Sequence, residues 1–325
     1  MAILVTGGSG FIGSHMVEHL IDVQDENILI LDNFSTGSKN NISHLDSDQI
    51  DIITGDIRNS DLFSSLDSNI SAIYHFAAAV GVKKVLEDPL YSFQTNLHGT
   101  ENIIRAAVEA EVPIFLASTS EIYGKNEKVP LSENDDRLIG PISVPRWGYA
   151  TSKATDEFLS LLHYEQSGLP VRIGRFFNIV GPRQTGQYGM VIPRFVEQAL
   201  NGEPITVYGD GTQTRSFTHV KDAVKITYDL MKSPEACGEA VNIGTSNPTT
   251  INQLANRVIE LTDSDSDIEY IPFEEVYNDD FEEPSEREPD LSKLQNLIGW
   301  KPTTDLDRIL KDVIDTRIGN DAVTI

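Results

Sequence analysis

The sequence predicts an α/β protein: a doubly wound parallel sheet covered by helices on both faces, joined to a smaller C-terminal α/β domain. Three observations lead there. Short apolar runs alternate with stretches of helical period through the first half of the chain. The first run, residues 2–6, passes directly into the glycine-rich turn Gly7-Gly8-Ser9-Gly10-Phe11-Ile12-Gly13. The 325 residues suffice for one large α/β domain and one small one. The expected division falls at 178/179, with some later segments returning to the first domain.

Gly7, Gly10 and Gly13 have the spacing that ends a strand sharply, lets a backbone approach a pyrophosphate and allows the new helix to pack on the sheet. That helix start, with Phe11 and Ile12 in its first turn, offers unpaired N–H groups and a positive end to phosphates. A bound dinucleotide is therefore expected at Gly7, Gly10, Phe11 and Ile12. Phe11, Ile12, Met16, Val17 and Leu20 then recur at helical spacing. The second strand, residues 28–31, ends at Asp32, an acid placed to accept hydrogen bonds from adenosine ribose hydroxyls and to repel a 2′-phosphate. NAD is thus expected over NADP. Asn33, Ser35, Thr36 and Gly37 form a polar turn around the adenosine end.

Residues 50–57 read as a third strand, with Asp56 and the Ile57 N–H placed for adenine. A fourth strand, residues 72–76, runs into Ala77, Ala78 and Ala79, small enough for a nucleotide to lie close. His75 reads as packed rather than catalytic. After a helix at 98–110, the fifth strand at 114–117 leads into Ser118-Thr119-Ser120-Glu121, at the strand end where such sheets bind ligands. Residues 125–147 read as a polar, proline-containing loop, and a helix follows in which Tyr149 and Lys153, four apart, share a face. A phenol whose pKa is lowered by a nearby ammonium can take a hydroxyl proton, and Thr119 can share it.

The next strand, residues 171–177, precedes Asn178. Arg183, Arg194 and Arg215 form a set of cations suited to a diphosphate. A helix to Leu200, a short strand at 205–209, helical stretches at 219–232 and 249–262, and a helix at 305–314 complete the chain, with Trp300 expected in the smaller domain's core. The acidic run at 263–267 matches no complete calcium loop, and no metal site is expected.

Fifty Asp and Glu face 25 Lys and Arg, a formal net charge of −25. Such a surface repels nucleic acid and acidic membranes, so neither is an expected partner. It also reads as an adaptation to high salt, where screening relieves self-repulsion. No apolar run approaches the roughly 20 residues that span a bilayer, and no basic-then-hydrophobic leader is visible. Cys237 is the single cysteine, which excludes an internal disulfide. A cytoplasmic enzyme is the expectation.

As a set, the residues 6–13 glycine motif, Asp32-Asn33, Gly55-Asp56-Ile57, Thr119, Tyr149 with Lys153, Phe177-Asn178, the 207–211 segment and Arg287-Glu288-Pro289-Asp290 resemble the extended short-chain dehydrogenases/reductases that work on nucleotide sugars. The resemblance runs from Ala2 to about Leu310 and implies a Rossmann-type first domain, bound NAD and a UDP-sugar or other nucleotide sugar in the cleft between domains. It implies Asn178 near the diphosphate or sugar, Val191, Arg194 and Tyr208 near the nucleobase, and Arg215 on the diphosphate. It also implies a homodimer joined by a bundle of the 98–110 helix and the Tyr149 helix.

The resemblance leaves the reaction open. Oxidation at the sugar C4 with Tyr149 as base serves several outcomes. Ordinary 4,6-dehydratases carry Asp-Glu after the threonine, and Ser120-Glu121 here counts against that reaction. Thr119-Ser120-Glu121 is similar to the pattern of UDP-glucuronate decarboxylases, which also place an arginine at the position of Arg287. In that reading Glu121 orients the sugar acid and Arg287 serves its proton chemistry, while Ser120 binds substrate. Around Gly81-Val82-Lys83-Lys84 and Pro145-Arg146-Trp147 the chain departs from plant and animal decarboxylases. UDP-glucose 4-epimerase and nucleotide-sugar dehydratase remain alternatives, and a non-catalytic NAD-binding module a remote one.

Overall fold

The computed structural model describes residues 1–323 except 46–47, 65–68, 82–84, 86, 187–189 and 277–285. Val82, Lys83 and Lys84, and most of the acidic 274–290 stretch, therefore lie outside the described residues. Thirteen strands are described: β1 (Ala2–Thr6), β2 (Asn27–Asp32), β3 (Ile50–Thr54), β4 (Ile70–His75), β5 (Ile114–Thr119), β6 (Val171–Phe176), β7 (Ile179–Val180), β8 (Ile205–Tyr208), β9 (Thr214–Ser216), β10 (Thr218–His219), β11 (Glu239–Ile243), β12 (Pro248–Thr250) and β13 (Ile268–Ile271).

Seven of them form one sheet in the order β11-β6-β5-β4-β1-β2-β3, every neighbouring pair parallel. The strand order reverses beside β1, where the chain passes outward through β2 and β3 and then returns to β4 on the other side. Doubly wound sheets bind their ligands in the crevice at that point. β1 shows why the apolar runs are continuous rather than alternating. Ile3 and Val5 belong to the core on one face of the sheet and Leu4 to the core on the other. The first face is covered by the helices Phe11–Val23 and Val220–Lys232, the second by Pro89–Ala110 and Arg146–Ser167.

The structure departs from the sequence expectation at several elements. The third strand stops at Thr54, because Gly55-Asp56-Ile57 turns away into a polar loop. The helix expected at 98–110 begins at Pro89, capped by the Asp88 side chain, which accepts the Tyr91 N–H at 3.1 Å. Its first turns escaped an apolar-period reading because their buried face is Ser92, Thr95, Asn96, Gly99 and Thr100. The Tyr149 helix likewise starts earlier, at Arg146. The sheet's seventh strand, β11, was not foreseen; its five residues, Glu239–Ile243, are interrupted by Asn242 and show no unbroken apolar run.

Trp300 is a correction. It packs with Leu20, Leu230 and Leu294 on the large sheet, not in the smaller core. Gly299, at φ +66°, ends the preceding helix and turns the chain back. A separate core gathers Ile192, Phe195, Val207, Leu254, Ile309 and Leu310, and all its buried residues come from Val180 onward. The C-terminal helix in that core runs Leu306–Val323.

One buried polar network fixes the end of the sheet beside Thr119. Arg175 on β6 donates to Glu157 through Nη2 at 2.8 Å and through Nε at 3.1 Å. Ser118 on β5 donates to the same carboxylate at 2.5 Å. Arg175 Nη1 donates to Tyr123, whose hydroxyl donates to Asn242 on β11 at 2.7 Å. Three adjacent strands and the Arg146–Ser167 helix are thereby tied together immediately behind Thr119.

Candidate active site

The carboxyl ends of β1, β2, β4, β5 and β6 open on a cleft of about 510 Å³. Gly7, Gly10, Phe11 and Ile12 line one end, with Asp32, Asn33, Ser35, Thr36, Ile57 and Ala77, Ala78 and Ala79 around them. The glycines are dictated by close approach. Gly7 sits at φ +69°, and a Cβ there would lie 2.7 Å from the Ala77 nitrogen. A Cβ on Gly13 would lie 2.1 Å from the Gly7 oxygen. Asn96 holds the facing lip, accepting the Ala79 N–H at 2.8 Å while its own amide donates to Ser152. A glycine cradle, a helix start and a strand-end carboxylate within one crevice fit a dinucleotide.

Asp32 does two jobs. Its Oδ2 accepts the Ser9 N–H at 2.9 Å and its Oδ1 the Phe34 N–H at 2.8 Å, so it clamps the glycine turn to β2 as well as facing the cleft. Gly37 supports this arrangement from outside the cleft lining, with its Cα face against Ser9 and the Asp32 carboxylate. Asp56 is also outside the lining. It accepts two hydrogen bonds from the Arg58 guanidinium, at 3.0 and 2.7 Å, which lower its pKa. Of the adenine pair expected from the sequence, Ile57 reaches the cleft.

Thr119, Ser120, Glu121, Tyr149 and Lys153 all line the middle of the cleft. The Tyr149 hydroxyl is hydrogen-bonded to Thr119. Burial, then the charge of Glu121, raise the Tyr149 pKa, while the Thr119 bond opposes them. Tyr149 therefore needs added positive charge to act as a base at neutral pH. Lys153, four residues on, lies buried with its ammonium 3.3 Å from the Asp156 carboxylate. Burial pushes that carboxyl up to about 6, against the pull of Lys153. His75 is packed, as the sequence suggested: it bonds Thr6 at 2.6 Å and Thr100 at 3.1 Å, and burial followed by Lys153 lowers its pKa to about 3.

Glu121 is gripped from two sides. Oε1 accepts from Arg287 Nη1, and Oε2 accepts from Arg146 Nη2 at 3.2 Å. Burial alone raises its pKa, but Arg287 and then Arg146 outweigh it and hold the carboxyl at about 2. Arg287 reaches it from a segment anchored on Leu131, which donates its N–H to the Glu288 carbonyl and accepts from the Asp290 N–H, both at 2.8 Å. The Nη2 of Arg287 is buried in the cleft wall with no hydrogen-bond partner among the described residues.

The far end of the cleft holds Val191, Arg194, Tyr208 and Arg215. The Arg194 guanidinium lies 3.8 Å from the Tyr208 ring centroid, a flat cationic platform. Arg215 is buried and donates to the Thr214 carbonyl at 2.7 Å. Asn178 lines the cleft at φ +40° and donates to the Ser216 carbonyl at 3.0 Å, tying the end of β6 to β9. Arg183 is not among the lining residues. It donates to Glu18 at 2.5 Å and to Ser14 at 3.2 Å, bracing the 181–186 loop against the first helix.

Sequence reasoning passed over Arg146, Tyr91, Gln213 and Phe273, all of which line the cleft. For Arg146 a signal existed: it stands three residues before Tyr149 on the same helix, so the two share a face.

With this geometry the chain can be set beside known proteins. The family described as GDP-mannose 4,6 dehydratase matches residues 4–313. A UDP-N-acetyl-alpha-D-glucosaminuronate decarboxylase of Bacillus cytotoxicus is 42% identical over 312 residues, 96% of this chain and 96% of its own length. UDP-glucuronic acid decarboxylase 1 of Danio rerio is 35% identical over 96% of this chain and 71% of its own length. A UDP-glucuronic acid 4-epimerase of Bacillus cereus, solved in complex with UDP-glucuronic acid and NAD, has a TM-score of 0.87 and 28% identity, covering 98% of this chain and 100% of that one.

The Tyr149–Thr119 pair generates a prediction. Tyr149→Phe removes the proton acceptor without removing the ring, and turnover of the sugar nucleotide should fall by about 10²–10⁴-fold. Steady-state kinetics of the purified variant check this, and wild-type turnover would exclude Tyr149 as the base.

Proposed function

We propose that this chain, which belongs to the GDP-mannose 4,6-dehydratase family of extended short-chain dehydrogenases/reductases, is an NAD-dependent decarboxylase of a UDP-linked hexuronate. The observation that carries the reading is the Arg146–Glu121–Arg287 cluster beside Tyr149, with Arg287 Nη2 buried and unpaired among the described residues. A buried cationic donor is costly until an anion meets it, and a sugar carboxylate at C5 supplies that anion. The relatives act on such sugar acids.

NAD, held by the turn at residues 7–12 and by Asp32, would supply a two-electron acceptor and return the same electrons, so no net oxidation would result. Tyr149 takes the C4 hydroxyl proton, and Thr119 shares it. The ketone at C4 makes the C5 carboxylate a β-keto acid. When the bond to carbon dioxide breaks, its electron pair passes to the C4 oxygen, where Tyr149 and Thr119 donate hydrogen bonds. Glu121 stays ionised and orients the sugar ring. Arg287 holds the carboxylate, and a water on Arg287 returns a proton to C5. Tyr149 then gives its proton back to the C4 oxygen as C4 is reduced, leaving a pentose nucleotide. A carboxyl held at about 2 is a poor base at neutral pH, which argues against Glu121 as the base of a dehydration.

We read the outer faces of the Pro89–Ala110 and Arg146–Ser167 helices as a homodimer interface, in a cytoplasmic protein adapted to high salt. Phe158 and Leu162 are 57% and 48% exposed on the second of these helices. Two subunits of charge −25 repel each other in dilute buffer. Light scattering should give the dimer mass at molar KCl, with a higher melting temperature there than in dilute buffer; a monomer at both salts, or greater stability in dilute buffer, would contradict this.

The reaction is tested by incubating the protein and NAD with UDP-glucuronate, UDP-N-acetylglucosaminuronate, UDP-glucose and UDP-N-acetylglucosamine, with products read by mass and proton NMR. The expected result is loss of carbon dioxide from a sugar acid. Unchanged mass with inversion at C4 would establish a 4-epimerase instead, and loss of water a dehydratase.

A further inference from the structure

Arg146 is placed against the local electrostatics. It is the first residue of a 22-residue helix, where the macrodipole is positive and a cation is disfavoured. It is also only 6% exposed, so it has lost most of its hydration. Glu121 offsets both penalties, accepting from Arg146 Nη2 at 3.2 Å. The same carboxylate accepts from Arg287 through its other oxygen. Glu121 is thus shared between two guanidinium groups. The neighbouring Lys153 stands 3.3 Å from the Asp156 carboxylate.

Without Arg146, Glu121 and Arg287 would form a neutral pair, and an incoming carboxylate would meet the Glu121 charge at close range. With it, the Glu121 charge is shared, and Arg287 keeps a buried donor, Nη2, for another acceptor. We propose that Arg146 is the specificity-determining residue of this cleft: by taking up the charge of Glu121 it turns Arg287 into a receptor for the substrate's C5 carboxylate, and so selects sugar acids over neutral sugars. The inference rests on the decarboxylase reading. It assigns Arg146 a positioning role, exerted through Glu121 and Arg287. The low pKa of Glu121, to which Arg146 contributes, agrees with a carboxylate shared in this way.

Calorimetry tests it in the NAD-loaded Tyr149→Phe protein, where turnover does not interfere. UDP-glucuronate and UDP-glucose are titrated into that protein and into versions also carrying Arg146→Gln, Arg146→Lys, or Arg146→Gln with Glu121→Gln. Arg146→Gln should weaken UDP-glucuronate by about tenfold or more and leave UDP-glucose within about twofold. Arg146→Lys should retain most of the preference. Adding Glu121→Gln should restore it, because Arg287 is then released from its partner's charge. UDP-glucose binding reports folding of each variant, and Arg146→Met replaces Arg146→Gln, with the same expected loss of preference, if the glutamine variant does not fold. Equal weakening of both ligands, or no restoration in the double variant, would overturn the role of Arg146. A parent protein that does not prefer UDP-glucuronate would overturn the decarboxylase reading itself.

Discussion

The site depends on one buried charge and its partners. Glu157 is almost wholly inside the protein, and its carboxylate accepts from Arg175 on β6 and from Ser118 on β5. A buried carboxylate that loses its cation costs about 3–5 kcal/mol, so the Arg146–Ser167 helix has one register on the sheet. Glu157 lies one turn beyond Lys153 and two turns beyond Tyr149. Fixing it fixes both over the end of β5, where Thr119 waits one residue after Ser118. Asn96 continues the constraint, since it bonds Ser152 on the same helix and holds the Ala79 lip of the cleft. Catalytic geometry here is a consequence of satisfied burial.

The electrostatics of the cleft run opposite to those of the surface. The chain carries −25, yet its functional cleft is lined by Arg146, Lys153, Arg194, Arg215 and Arg287. Repulsion of a nucleotide sugar by the surface is screened over about 8 Å at physiological salt, while the cations inside are screened far less. An acidic exterior and an anion-binding interior are therefore compatible, and high salt favours the combination. In the proposed reaction Glu121 is neither acid nor base, because its charge is committed to two arginines; proton transfer is assigned to Tyr149 and to water.

Much of this was legible in the sequence. The glycine turn, Asp32, the alanine lip and the Thr119, Tyr149 and Lys153 set carry chemistry in fixed spacings, and each of these reaches the cleft. β1, β2 and β5 were visible because a parallel sheet buried on both faces demands unbroken apolar runs. What stayed hidden follows from physics of another kind. β11 breaks its apolar residues with Asn242, and the first turns of the Pro89–Ala110 helix bury Ser92, Thr95 and Asn96, which have no hydrophobic period. Arg183 looked like a ligand cation, and only its contacts with Glu18 and Ser14 reveal a brace. The spacing of Arg146 from Tyr149 marked a shared helix face, but the carboxylate it meets, Glu121, lies 25 residues away in the chain and is seen only in the fold.

The central claim is that Tyr149 and Thr119 serve an oxidation at C4 that is undone at C4, while the proton that replaces carbon dioxide arrives at C5 from water. Conversion of the UDP-linked hexuronate in deuterium oxide tests this directly. The account predicts a pentose nucleotide with a single deuteron at C5 and the original hydrogen at C4. Deuterium at C4, or none at C5, would contradict it.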